Sequence, residues 1–304
     1  MQTAELLKKV RKLEIVTSKM VEDVIGGAYH SVFKGRGIEF DEVREYTLED
    51  DVRDIDWNVS ARLNAPYVKK YVEERELTVL LMVDISPSMR FGMPGNSVSE
   101  RAIEAAALLG LSAIGNHDRV GLSLFSSRID KFLPPRGGRH HNLRLIRELV
   151  SAATQPSAAN TNIAAALRNA CGVLVKRSVI FVISDLLDES PELETALKIA
   201  SRRHDVIVLH VYDPAAFQLP DKLVNFYDAE SGKFIQLKTS ASRSAFAQNQ
   251  QAAVQNRQAM CRRAGAEVIA MPCDVDMLNT LRLFFQHRRN HRRSAGKQAN
   301  GSRI

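Results

Sequence analysis

The sequence predicts an α/β protein: a doubly wound, mostly parallel sheet behind a small N-terminal helical and charged module. Three observations point there. Thr78–Asp84 reads as a buried apolar strand, and Val179–Ile183 is a continuous β-branched and aromatic run, the pattern of a parallel strand covered on both faces. Further strands at Val120–Leu124, Val206–Val211 and Val268–Met271 are set apart from these by segments long enough to hold helices. Strands that alternate with helices build a doubly wound sheet rather than a barrel or a bundle.

From the N-terminus, residues Thr3 to Val24 carry leucine, isoleucine, valine and methionine at helical spacing among lysine and glutamate, so one or two amphipathic helices are predicted, closed by Gly26-Gly27. Phe40 to Glu76 holds eleven acids against six bases and reads as a separate small module. After the strand at Thr78–Asp84, Ser97 and Glu100 have capping-box spacing, and Ala102, Ile103, Ala106, Leu109 and Ala113 form one helical stripe. Val120, Leu122 and Leu124 alternate as a strand that turns through Ser126-Ser127 into Ile129–Leu133, with Pro134-Pro135-Arg136-Gly137-Gly138 expected as a loop. Helices are predicted over 142–153, 163–175, 192–203 and 242–264, and Met277–Arg289 closes the fold. The expected division is therefore 1–76 for the helical and charged lead-in, 77–289 for the α/β domain, and 290–304 for a basic, disordered tail.

Bulk properties exclude several classes. The net charge is +7, but Arg288 to Ile304 holds six basic residues and no acid, which leaves the body close to neutral. Such a tail can hold nucleic acid or anionic lipid, or simply be solvated; it lacks interleaved aromatics, so nucleic acid is not an expected partner. Cys171, Cys261 and Cys273 form no Cys-x-x-Cys pair, which suits a reducing compartment. No signal-peptide core and no run of ~18 apolar residues occurs, so no transmembrane segment is predicted and the cytoplasm is the expected location. Gly35-x-Gly37 precedes rather than follows a convincing strand, and no Gly-x-x-x-x-Gly-Lys-Ser/Thr is present, so intrinsic ATP hydrolysis is not expected.

Chemistry concentrates at strand ends. Asp84, Ser86 and Ser88 follow the first buried strand, Thr161 follows the loop Pro156–Asn160, and Asp185 follows the strand Val179–Ile183. In a doubly wound sheet the carboxyl ends of neighbouring strands converge at a switch point, where these residues can meet around one ion. Two carboxylates and three hydroxyls are hard oxygen donors, suited to Mg²⁺, with Mn²⁺ or Ca²⁺ as alternatives. Ser86 and Ser88 can instead cap the turn after the strand, and Asp185 the following helix.

Asp84-x-Ser86-x-Ser88, Thr161 and Asp185 resemble the metal-ion-dependent adhesion site of von Willebrand factor A domains, a Rossmann-type architecture, over roughly Leu77 to Arg289. Asn160-Thr161-Asn162 departs from the Gly-Gly-Thr often found there. The stretch from Gly35 to Tyr46, continued by Asp50-Asp51-Val52-Arg53-Asp54-Ile55-Asp56-Trp57 and Ser60-Ala61-Arg62, resembles the segment that defines the family called domain of unknown function 58. The resemblance implies a MoxR-type AAA+ ATPase as partner, acting with this chain on a client protein in chaperone-like maturation or assembly. Many members are membrane-tethered.

Within the lead-in, Arg44, Arg53 and Arg62 are each placed to fork onto a carboxylate, and Trp57 is expected in the core. The alternative is that Asp50, Asp51, Asp54 and Asp56 bind a second metal or a basic partner. For the whole chain the expected function is a non-enzymatic, metal-dependent adaptor that captures an acidic side chain of a partner. The alternative is a metal-assisted phosphoester hydrolase using Asp84 and Asp185. That site is poor in carboxylates and has no histidine nearby in sequence, His140 and His141 lying in another loop, whereas metal hydrolysis requires a base beside a positioned water.

Overall fold

A computed structural model describes residues 39–47, 50–52, 55–72, 76–93, 96–152, 160–188, 190–218, 223–227, 234–238 and 243–301. The helices expected over 3–24, the Gly35-x-Gly37 pair, Arg53 and Asp54 lie outside the described residues.

The charged lead-in carries its own two-stranded sheet. Strands β1 (Glu39–Glu45) and β2 (Tyr67–Val72) pair antiparallel, and helix α1 (Trp57–Leu63) lies between them in sequence. Asp56 caps α1, its carboxylate accepting from the backbone N–H groups of Asn58 and Val59. Ser60 ties the helix to β2: its hydroxyl donates to Asp56 O at 2.7 Å and accepts from Tyr67 N at 2.8 Å. Arg44 forks onto Asp50 with contacts of 2.8 and 2.5 Å, as its position between acids predicted. That fork, with the Thr47 N–H and hydroxyl, pulls the Asp50 carboxyl down to about 2. Arg62 is exposed. Trp57 overturns the expectation of a core residue: it stands at the first helical position, on the outer side of the turn, and is 68% exposed.

The main sheet comprises β3 (Thr78–Asp84), β4 (Arg119–Phe125), β5 (Ile129–Arg136), β6 (Val179–Ser184), β7 (Asp205–Tyr212) and, after a separate hairpin of β8 (Leu223–Tyr227) and β9 (Phe234–Lys238), β10 (Glu267–Pro272). Its order is β10-β7-β6-β3-β4-β5, parallel throughout except for β5. The chain moves outward from β3 to β5 and then crosses back to place β6 on the other side of β3. The order thus reverses between β3 and β6, and the carboxyl ends of these two strands define the switch point.

Period-two alternation divides β3 between two cores. Val79, Leu81 and Val83 pack under α2 (Val98–Gly115), α3 (Arg139–Ala152) and α7 (Met277–Gly301). Leu80 and Met82 face α4 (Ile163–Val173), α5 (Leu193–Arg203) and α6 (Arg243–Arg263). Because both sides of β3 are buried, a one-residue slip would exchange the two sets, and register is strongly specified. Helix α2 starts with the predicted capping box, Ser97 Oγ accepting from Glu100 N and the Glu100 carboxylate from Ser97 N. Its stripe of small residues lets it lie close to the sheet: a Cβ added at Gly110 would sit 3.3 Å from Leu81 Cδ1.

Some boundaries differ from expectation. Strand β5 continues through Pro134-Pro135, read in the sequence as a loop; β5 is an edge strand, where a missing N–H need not interrupt the ladder. Gly121 of β4 accommodates that proline pair, since a Cβ there would lie 2.9 Å from the Pro135 ring. The hairpin β8–β9 was not anticipated. Helix α7 runs to Gly301, past the position 289 where the α/β domain was expected to end and a disordered tail to begin. Arginine, lysine, glutamine and alanine are good helix formers and no proline intervenes before Gly301.

Candidate metal centre at the switch point

The first segment is organised by Asp84, the last residue of β3 and almost wholly buried. Its Oδ1 accepts from Ser86 N at 2.9 Å and its Oδ2 from the Ser184 hydroxyl at 2.6 Å. The chain leaves the strand with Ile85 N still bonded to Phe125 O, then Pro87 opens a 3-10 turn over Pro87–Arg90. That turn brings the Ser86 and Ser88 hydroxyls within 3.1 Å of each other.

Thr161 comes from the crossover that precedes α4. Asn160 has φ 71°, a left-handed conformation that asparagine adopts more readily than most residues, and so takes the place of the glycine often found there. Asn162 N donates to Ser126 O at the end of β4, and Asn162 Oδ1 caps α4 through Ala165 N. The third segment is fastened to this one, because Asp188 Oδ2 accepts from Ile163 N at 2.7 Å.

Asp185 follows directly on β6. Its Oδ1 accepts from Leu187 N at 3.1 Å, its carboxylate is hydrogen-bonded by Ser88, and its backbone carbonyl accepts from His210 Nε2 at 3.0 Å. Leu186, with its side chain buried, adopts φ 58°. A branched residue there stores strain on the order of 1–3 kcal/mol, of the kind that collects at functional sites.

The electrostatics favour a cation. Burial, then the charge of Asp185, raises the Asp84 carboxyl to about 7. Burial also raises Asp185, with the Ser88 and Leu187 hydrogen bonds opposing it. Burial pushes His210 down to about 4, so its ring is neutral and presents N–H to the Asp185 carbonyl while Nδ1 takes the Gln258 amide. Thr161 Oγ1 is buried without a hydrogen-bond partner among the described residues, an arrangement that costs ~1–3 kcal/mol unless a ligand fills it.

Asp84, Ser86, Ser88 and Asp185 are therefore linked by hydrogen bonds and mutual charge, whereas the Thr161 hydroxyl bonds to none of them and stays orphaned on the adjoining loop. The donor set is all oxygen, which fits Mg²⁺ or Mn²⁺ better than a soft metal. Among the described residues no group of three or more His, Cys, Asp or Glu side chains is gathered, so a site here depends on hydroxyls. Of the lead-in acids, Asp50 is paired with Arg44 and Asp56 caps α1, whereas Asp54 lies outside the described residues. Sequence reasoning missed Ser184, Asp188 and His210. Ser184 and Asp188 lie on either side of a residue already singled out, and that proximity was the available signal; His210 sits inside β7, two residues before its end, where nothing local marks it.

A family model described as Protein of unknown function DUF58 matches residues 42–258. The chain belongs to the DUF58 family. This DUF58 protein is 30% identical over 287 residues to uncharacterized proteins of Mycobacterium tuberculosis and Mycobacterium bovis, a match that spans 94% of this chain and 90% of each relative. Its fold is similar to that of an aerotolerance-related membrane protein from Bacteroides fragilis, with TM-score 0.47 and 21% identity over 71% of this chain and 99% of that one. The SpRpn10 VWA domain is similar with TM-score 0.42 and 13% identity, over 68% of this chain and 94% of that domain. Among the described residues of the DUF58 protein, no helix is long and apolar enough to cross a membrane.

Proposed function

We propose that this DUF58 protein is a metal-dependent protein-binding adaptor, with Asp84, Ser86, Ser88, Thr161 and Asp185 as the residues that hold a Mg²⁺-type cation. The observation that carries the reading is the pairing of two buried, mutually repelling carboxylates with an orphaned threonine hydroxyl at the switch point. A bound divalent cation supplies a strongly electropositive centre, since hydroxyl ligands leave more of its charge unneutralised than carboxylates do. The surrounding residues have defined tasks. Ser184 and the Ser86 N–H orient Asp84, His210 holds the backbone at Asp185, and Asp188 locks the Thr161 loop to the strand end. The partner group best suited to such a centre is the carboxylate of an aspartate or glutamate.

A MoxR-type AAA+ ATPase is the collaborator that the family resemblance implies, and the chain's lack of a phosphate-binding loop is consistent with energy supplied by a partner. The joint role proposed is chaperone-like maturation or assembly of a client. Hydrolysis through Asp84 and Asp185 is the weaker reading: His210, the histidine beside Asp185, is buried, neutral and engaged at both ring nitrogens, so it is not placed to act as a base on a water. The test is capture of the cognate ATPase by purified protein. Capture in Mg²⁺ that is lost on Asp84→Ala or in chelator supports the adaptor; capture unchanged by both contradicts it.

A further inference from the structure

Beside the candidate metal centre lies a cavity of about 390 Å³, bounded by the turn after β3, the end of β7 with the turn Pro214–Phe217, and helix α6. Ser88 and Asp185 line it as well as belonging to the centre, so the two sites are continuous. Its walls are largely apolar. Tyr212 and Phe217 stack with ring centroids 5.8 Å apart, and Val254 projects from α6. Two large apolar side chains at the cavity, Phe91 and Leu187, are 49% and 41% exposed, and Met93 on the same loop as Phe91 is 77% exposed. Exposed apolar groups gathered around a polar centre are characteristic of a surface that contacts another protein.

The charges at the cavity suit an acidic visitor. Arg90 and Arg257 line it. Of the acids there, Asp213 caps the Pro214–Phe217 turn through Ala215 N, and Asp185 belongs to the centre. The volume lies near the lower end of the roughly 300–1,000 Å³ usual for ligand pockets, enough for one bulky side chain rather than a folded element.

We infer that this cavity receives a large apolar side chain, aromatic by preference, standing within two residues of the acid that a partner protein presents at the metal centre. The inference rests on the adaptor reading of that centre and adds what the partner segment must look like: a carboxylate followed closely by a bulky apolar residue. The acid supplies metal dependence, and the apolar residue supplies selectivity. Aromatic occupants gain from the Tyr212 and Phe217 rings through stacked or edge-on contact.

The experiment titrates the full chain in Mg²⁺ with three capped peptides, N-acetyl-Asp-Gly-Phe-amide, N-acetyl-Asp-Gly-Ala-amide and N-acetyl-Asn-Gly-Phe-amide, followed by isotope-edited NMR. The phenylalanine peptide is expected to bind at least about tenfold more tightly than the alanine peptide, the return for burying one aromatic side chain. Ala216→Trp, which fills the cavity from a surface turn, is expected to erase that difference. Phe217→Ala is expected to reduce it, with Mg²⁺ binding by the protein unchanged in both variants. Equal affinity for the two aspartate peptides, with their Mg²⁺ dependence intact, overturns the cavity inference and leaves the metal centre standing. Binding of the asparagine peptide as tight as that of the Asp-Gly-Phe peptide, and unchanged in chelator, overturns the coupling between cavity and acid. Loss of Mg²⁺ dependence for every peptide overturns the adaptor reading itself.

Discussion

Replacing Asp84 by asparagine separates what the buried carboxylate costs in chelator from what it contributes with metal. The carboxyl is raised to about 7 from an ordinary 3.8, chiefly by burial and then by Asp185. Between those values the folded protein holds a proton that the unfolded chain has released, so stability without metal falls as pH rises through this window and levels off above about 7. At pH 8 the ionised, repelling pair costs on the order of a few kcal/mol. Asparagine keeps the shape: its carbonyl still accepts from Ser86 N, and its amide can donate to the Ser184 hydroxyl, which now serves as acceptor. Asp84→Asn should therefore melt above the wild type in chelator at pH 8, by roughly 5–10 °C for a domain of this size, and show little advantage at pH 4. In 10 mM Mg²⁺ the order should reverse in the increment: the wild type gains about 2.7 kcal/mol if the ion is at a hundred times its Kd, and the variant gains almost nothing. Thermal unfolding by circular dichroism, with and without chelator, measures both. An asparagine variant less stable than the wild type in chelator at pH 8, or equally stabilised by Mg²⁺, refutes the reasoning.

Thr161→Val removes the orphaned hydroxyl while keeping the side-chain shape, so stability in chelator should hold or rise while Mg²⁺ affinity falls about tenfold, as for a lost ligand worth ~1.4 kcal/mol, measured by calorimetric titration. Leu81→Ala opens a cavity under α2 and should cost ~2–5 kcal/mol in urea unfolding without changing the metal stoichiometry. Arg44→Ala should let the Asp50 carboxyl rise from about 2 toward its ordinary value in an NMR pH titration. The stabilising effect of that pair, present above the ordinary carboxylate value and lost as pH falls through about 2, should vanish with the arginine. Gly121→Ala should destabilise the β4–β5 edge by ~1–3 kcal/mol, because the added methyl meets the Pro135 ring.

Much of the sheet was legible because its strands are buried on both faces and write themselves as apolar runs. The ends of β3 and β6, and with them Asp84 and Asp185, followed from those runs and from the rule that ligands gather at a switch point. Long-range closure was not legible. Nothing local announces that Ser184 bonds Asp84, at a separation of a hundred residues, or that Asp188 reaches across to Ile163 N. The β8–β9 hairpin was missed because its two strands are short and pair with each other outside the main sheet. Trp57 misled because aromatic residues in charge-dense segments usually anchor a core, whereas here Ser60 and Asp56 hold α1 to β2 by polar contacts. The proline pair of β5 misled because edge position, which excuses proline in a strand, is a property of the assembled sheet.

The most direct measurement is an anomalous difference map from crystals grown in millimolar Mn²⁺. A single peak within bonding distance of the Ser86, Ser88 and Thr161 hydroxyl oxygens, with Asp84 and Asp185 beside it, is the predicted result. Absence of any peak, with those five side chains turned away from one another, contradicts the account.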